Sequence, residues 1–468
     1  MSAALSAHAT AATIAAAVRA RDVSALAVTE AALERIARTH DRFNAFTTIT
    51  AERARAEAAA VDAALAAGRD PGPLAGVPYA VKDLFDLAGT VTWAGSKILR
   101  ENPPATRDAT AVARLRAAGA VCVGAVNMGE FAYDFVTENA HAGATRNPHD
   151  LTRSAGGSSG GSGAAVAGGL VPLSLGTDTN GSIRVPASFC GLWGLKPTYG
   201  RVSRAGAFPF VASLDHIGPF ARSVADLALA YDTMQGPDAL DPACTTRAPE
   251  LASPLLHAGV AGLRIGVLGG YFSTGGDPAV HAAVERVATA LGAIRRLELP
   301  VVECARAAAF VITASEGGCL HMERLRTRAA DFDPAARDRL LAGAMLPAAW
   351  YVQAQKFRAW WREQIQLVFR DVDVVLAPAT PVPATALGQE TMMVGGREML
   401  VRPNLGMFTQ PISFVGLPVV AAPLQAAAGP LPVAVQLIGA PWAEASILRV
   451  ARHLEQTGVC ASVAVPLS

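Results

Sequence analysis

The chain has 468 residues, of which 51% are hydrophobic and 17% charged, with 40 basic and 39 acidic side chains and a formal net charge of +1. That charged fraction lies below the ~25% of ordinary soluble domains and implies a large apolar core. The near-balanced charge offers no strong field for nucleic acid or an anionic membrane surface, so neither is expected as a partner.

The N-terminus is Ala-rich but lacks the basic and Leu-rich regions of a signal peptide. Its apolar positions continue at helical spacing into VTEAALERIARTH, and residues 10–65 predict two or three amphipathic helices. Arg69-Asp70-Pro71-Gly72 ends them with a turn. GVPYAVK, residues 76–82, reads as a strand with Val77, Tyr79 and Val81 on one face. DATAVARLRAAG, residues 108–119, predicts a helix with Asp108 as N-cap and Gly119 as stop. AVCVGAV, residues 120–126, follows as a strand, and this alternation argues for an α/β architecture. After a Gly/Ser loop come a short helix near 162–169, a strand near 170–175 and a turn at TDTNG, and SIRVPASFCG begins a further helix. Residues 263–272 read as a strand, and Asp277-Pro278 supplies an N-cap and N1 proline for VHAAVERVATALG. Residues 305–370 are the most charged and helical region, and 373–379 form another strand. From Pro403 to Ala443 no charge occurs, yet seven prolines exclude a membrane helix. Within that stretch FVGLPVVAAPL and LPVAVQLIG read as strands of a sheet covered on both faces.

Cysteines stand at 122, 190, 244, 304, 319 and 460, with no CxxC pair and no zinc-ligand spacing. They read as reduced thiols of a cytoplasmic protein; no metal and no cofactor is expected.

The chemistry concentrates in residues 153–184, RSAGGSSGGSGAAVAGGLVPLSLGTDTNGSIR. Ser158 and Ser182 each follow a glycine, and Lys82 closes an apolar strand upstream. A serine hydroxyl needs a base to become nucleophilic. No histidine lies in these segments; the nearest are His141, His149 and His216. A lysine can serve if burial keeps it neutral, although Asp83 could oppose that shift. The turn Thr179-Asn180-Gly181-Ser182 supplies successive backbone N–H groups, the donors a tetrahedral oxyanion requires. Bland readings stand beside these. Gly/Ser runs are usually linkers, but this one is bounded by apolar elements. GxSxG occurs around Ser158 and Ser159 without the strand a nucleophile elbow needs, and no P-loop GK[ST] follows. Taken singly, Lys82 reads more often as a surface lysine paired with Asp83 or Asp86, and Ser182 more often as an N-cap serine. Only the combination points to catalysis.

The segments LAGVPYAVKD, AVNMGEFA, TRNPHD, AGGSSGGSGAAVA, GTDTNGSIRVPASFCGLWGLKPTYGRVS, SLDHIGPFARSVADLA and PVAVQLIGAPWAEASIL resemble the amidase signature family along nearly the whole chain. The resemblance implies a single α/β/α domain over 1–468, with a mixed, mostly parallel twisted sheet covered by helices on both faces. Its parts would be N-terminal helices (1–65), a catalytic core (66–235), a partly helical substrate-shaping region (236–400) and C-terminal core strands with a helix (401–468). The weakest internal boundary falls near 235–262. The resemblance further implies a Ser-cisSer-Lys triad: Lys82 as base, Ser158 as bridging serine after a cis bond from Gly157, and Ser182 as nucleophile. Most relatives carry glycine where Asn180 stands. TDTNGSIRVPAS, RAGAFPFVASLDH and YDTMQGPD look most like the biuret-pathway branch, which hydrolyses small urea-like amides such as 1-carboxybiuret. That branch pairs with a short subunit similar to the C subunit of glutamyl-tRNA(Gln) amidotransferase, as homodimer or heterotetramer. The alternatives are the A subunit of such an amidotransferase and an inactive scaffold of the same fold. A carboxylated substrate needs a cation, and Arg324, Arg326, Arg358 and Arg402 are candidates by charge. Phe131 and Tyr133 are expected to line the pocket.

Overall fold

The computed structural model describes residues 3–293, 295–425, 429–462 and 465. Three amphipathic helices open the chain: Ala11–Ala20 (α1), Ala25–Phe43 (α2) and Ala51–Ala66 (α3). Between α2 and α3 lies a strand the periodicity did not reveal, Phe46–Ile49 (β1). Its four residues are half-exposed threonines between apolar ends, too short for alternation to register.

β1 is the first of eleven strands in one sheet. The others are Pro78–Lys82 (β2), Val121–Val126 (β3), Leu173–Asp178 (β4), Trp193–Lys196 (β5), His216–Ala221 (β6), Ile265–Leu268 (β7), Arg295–Leu297 (β8), Val374–Pro378 (β9), Val419–Gln425 (β10) and Pro432–Gly439 (β11). Their spatial order is β1-β3-β2-β4-β6-β5-β10-β11-β9-β7-β8. Every residue of β2, β3, β4, β6 and β11 is buried. Successive strand side chains point to opposite faces, so both faces are covered there, as expected.

The sheet is mixed, but not mostly parallel. Four neighbouring pairs are parallel, β2 with β3 and β4, and β7 with β8 and β9. The six others are antiparallel. Connection length accounts for one of these: only residues 426–431 join β10 to β11, and a parallel return needs a dozen or more residues.

Two short helices are wholly buried in the core, Gly160–Ala167 (α4) and Arg184–Cys190 (α5). The charged helical region resolves into Val302–Leu320 (α6), Met322–Arg328, Pro334–Ala344 (α7) and Ala348–Val368 (α8). Asp277 caps the helix Pro278–Ala290 through Ala279 N at 2.8 Å, as its Asp-Pro start predicts. Asp108 does not cap the helix Thr110–Ala117. It accepts from Arg53 at 2.6 and 2.9 Å and from Ala88 N at 2.9 Å, an ion pair stronger than a cap bond. TDTNG is a turn only from Thr179, because Thr177 and Asp178 complete β4.

Candidate active site

Lys82 is the last residue of β2, and Thr177 and Asp178 end β4. The two strands are parallel neighbours, Val81 facing Leu175, so their carboxyl ends open at the same edge of the sheet. Ligands of open α/β sheets bind outside such ends. Lys82 is fully buried, its Nζ lying 2.7 Å from Ser158 Oγ and 2.8 Å from Thr177 Oγ1. Desolvation brings the amine down from 10.5 to about 7, against the pull of Asp215 and Asp178. Asp83 does not undo this: burial pushes its own carboxyl well above the usual carboxylate range.

Ser158 follows a cis peptide from Gly157. A Cβ on Gly157 would stand 2.5 Å from Val136 N and 2.7 Å from Phe135 C, so a side chain there has no room. The adjacent hydroxyl is used differently. Ser159 Oγ donates to Thr177 O at 3.2 Å and staples the loop to β4.

Ser182 lies on the link between β4 and α5 and is 4% exposed. Its hydroxyl makes no hydrogen bond among the described residues. Three side chains pin the turn before it. Thr179 Oγ1 donates to Asp215 Oδ1 at 2.6 Å, Asn180 Nδ2 donates to Thr313 Oγ1 at 2.9 Å, and Thr409 Oγ1 donates to Asn180 O at 2.6 Å. Asp215 also accepts from Phe210 N and Val211 N at 2.9 and 3.0 Å, which fixes the carboxylate that holds Thr179. Gly181 has φ +141°, and a Cβ there would strike Thr409 Oγ1. Its other close neighbour would be the Phe135 ring at 3.3 Å, so the turn and the Gly157 peptide converge on residue 135.

Behind the turn lies a buried ion pair. Arg184 donates to both Asp178 oxygens at 2.9 Å, to Gln436 Oε1 at 2.7 Å and to Thr409 O at 3.1 Å. Burial alone would raise the Asp178 carboxyl, but the Arg184 guanidinium holds it well below the usual range. None of the three nearest histidines serves either serine. His141 meets Glu130, His149 meets Cys190 O, and His216 meets Asp178 O.

A narrow cavity borders Ser182, with Tyr133, Thr179, Asn180, Thr313 and Arg339 in its wall. A larger one, lined by Thr177, Asp215 and His216, meets it at Ala132 and Phe210. Tyr133 thus lies in the wall of the Ser182 cavity. Phe131 does not line the Ser182 cavity; its ring packs 4.0 Å from His321 and 5.5 Å from Phe332 in an apolar cluster. The arginines separate in the same way. Arg358 is committed to the carbonyls of Phe414 and Ser213, and Arg402 to Asp134 at 2.6 Å. Arg324 lies over the Phe208 ring at 5.7 Å, and Arg326 occupies the helix Met322–Arg328; neither borders the Ser182 cavity. The cation in the cavity wall is Arg339, which charge alone did not single out. It donates to Tyr133 O at 2.8 Å and has no ion-pair partner among the described residues. Thr177 and Asp215 were also missed. Thr177 stands in TDTNG and Asp215 in SLDHIG, but nothing local announces their contacts.

The amidase model matches residues 27–448. The chain belongs to the amidase family. It is a C–N hydrolase of the amidohydrolase type. This amidase is 57% identical over 437 residues to AtzE, the 1-carboxybiuret hydrolase subunit of Pseudomonas sp. (strain ADP), covering 93% of this chain and 96% of that one. It is 41% identical over 456 residues to the A subunit of the glutamyl-tRNA(Gln) amidotransferase of Roseiflexus sp. (strain RS-1), covering 92% of each. Among solved structures, the inhibitor-bound vestigial protein complex of an s-triazine catabolic enzyme matches this amidase with a TM-score of 0.96 at 55% identity, over 97% of this chain and 100% of that one. Among its described residues no helix is long and apolar enough to cross a membrane.

Proposed function

We propose that this amidase hydrolyses a small urea-like amide of the 1-carboxybiuret type, releasing ammonia through a Ser182 acyl-enzyme. The observation that carries the reading is the fully buried Lys82 amine, 2.7 Å from Ser158 Oγ and brought down to about 7 by desolvation. In its neutral form Lys82 accepts the Ser158 proton while Ser158 takes the proton of Ser182. The freed Ser182 oxygen bonds to the amide carbon, and the carbonyl electrons move onto oxygen. Backbone N–H groups of residues 179–182 hold that oxyanion, in a turn fixed by Asp215, Thr313 and Thr409. When the carbonyl re-forms, the C–N bond breaks, and the Lys82 proton returns through Ser158 to the departing ammonia. Water then gives a proton to the same relay as its oxygen bonds to the acyl carbon; the ester bond to Ser182 breaks, the relay proton returns to Ser182 Oγ and the acid leaves.

Arg339 would receive a substrate carboxylate, since it lines the Ser182 cavity without an ion pair of its own. Asp134, in the same wall, is already paired with Arg402. The matching solved chain belongs to a vestigial protein complex, which supports a partner subunit here; we take that partner to be a short one resembling the amidotransferase C subunit. Hydrolysis is favoured over ammonia transfer to tRNA by the relative identities, 57% against 41%.

The test is ammonia release from freshly prepared 1-carboxybiuret by the purified chain, alone and with a small partner subunit, without tRNA or ATP. Turnover is expected, abolished in Ser182→Ala with folding intact. Arg339→Met should raise KM by about tenfold or more with a smaller change in kcat. Turnover only with charged tRNA and ATP would overturn the reading.

A further inference from the structure

Asn180 is 6% exposed and forms part of the Ser182 cavity wall. The two ends of its amide have different fates. Nδ2 donates to Thr313 Oγ1 at 2.9 Å. Oδ1 is buried and finds no partner among the described residues. The backbone oxygen of the same residue, by contrast, is satisfied by Thr409. Thr313 is 1% exposed and lies on α6, so this contact ties the turn before Ser182 to the helix that covers it. In this arrangement the NH2 end of the amide is the one committed to protein. Native folds pair their buried polar atoms, and an exception calls for a specific explanation. Asn180 stands two positions from Ser182, in the wall of its cavity.

We propose that Asn180 is a specificity-determining residue: its Oδ1 accepts a hydrogen bond from an N–H beside the scissile carbonyl, so that the site favours urea-like amides over amides bearing carbon there. The inference rests on the Ser182 reading above and deepens it. In biuret the two carbonyls are joined by NH; in malonamide they are joined by CH2. The two compounds are otherwise alike in size and in their terminal amides. With the NH compound the buried oxygen gains its donor. With the CH2 compound it stays stripped of water and unpaired. A site built around a polar partner rejects the analogue lacking it far more strongly than an apolar pocket sorts by size. Thr313 is then a positioning residue, since it holds the NH2 end and leaves oxygen for the substrate.

Biuret and malonamide are measured as competitors of 1-carboxybiuret turnover by the full-length protein. The unaltered protein should bind biuret at least about tenfold more tightly than malonamide. Asn180→Ala, tolerable because Asn180 has no left-handed φ, should bring the ratio of inhibition constants close to one. Thr313→Val, nearly isosteric, should lower the same ratio without contact to the substrate N–H. A general packing defect would weaken both compounds equally and leave the ratio where it was. An unaltered protein indifferent to the two compounds, or a ratio kept within twofold in both variants, would overturn the assignment. If 1-carboxybiuret is not hydrolysed, the substrate proposed above falls by itself. The competition is then read against propionamide turnover, where the same ratios decide the role of Asn180.

Discussion

Lys82 can act as a base at neutral pH because of its surroundings, not its type. Burial lowers the amine from 10.5 to about 7, and its hydrogen bonds are to two hydroxyls, not to a carboxylate. If the neutral amine is the active form, kcat/KM should climb about tenfold per pH unit on the acid side and level off above about 7. Lys82→Ala should lose most activity and remove that ascending limb. A pH profile unchanged by the substitution would exclude Lys82 as the base. The residue most easily misjudged is Arg358. Its charge suggests an anion site, yet its hydrogen bonds go to two backbone carbonyls, Phe414 O and Ser213 O. Side-chain type alone does not distinguish that role from the one proposed for Arg339.

The elements meet through Arg184. Its guanidinium comes from α5 and grips Asp178 at the end of β4, Gln436 in β11 and the backbone at Thr409. Breaking a buried pair strands the other charge, which costs more than the pair itself contributes. Arg184→Met should therefore destabilise the protein by about 3–5 kcal/mol in denaturant titration. A loss below about 1 kcal/mol would mean that water or a rearranged side chain compensates Asp178. At this scale strong periodicity and turn chemistry were readable: the strands at Lys82, Val121–Val126 and Pro432–Gly439 lie close to where the sequence placed them. β1 was not readable, because four residues contain too little pattern.

For the whole molecule, burial of cations sets a pH dependence of stability. Lys196 is a second fully buried lysine, lowered to about 7 by desolvation and then by Arg184. Between about 7 and 10.5 the unfolded chain binds more protons at Lys82 and Lys196 than the folded one does, so unfolding free energy rises with pH. Each lysine contributes a slope of up to about 1.4 kcal/mol per pH unit. Between pH ~7 and ~8.5 buried acids oppose this: burial raises Glu130 to about 7 and Cys122 to about 12, so the folded chain keeps protons there that the unfolded one loses, and the lysine contribution is read as a difference between the unaltered protein and a lysine variant. Lys82→Met should lower the slope by up to about 1.4 kcal/mol per pH unit relative to the unaltered protein, measured by chemical denaturation from pH ~7 to ~8.5. Identical slopes in the two proteins would mean that the Lys82 amine stays protonated when folded.

The sequence by itself determined the α/β class, the family and the three residues on which the chemistry is proposed to rest, because helix and strand periods, turn glycines and motif spacing are local properties of the chain. That Gly157 and Gly181 have no room for a side chain was decided by the tertiary structure, through a close backbone at Val136 and the side chain of Thr409. The tertiary structure alone decided the six antiparallel pairings, the partnership of Lys82 with Thr177, the anchoring of Thr179 by Asp215 and the choice of Arg339 over four other arginines. Each of these depends on which distant segments share a neighbourhood. A hydrogen bond or an ion pair needs two partners within a few ångströms, and no local pattern in the chain records that distance.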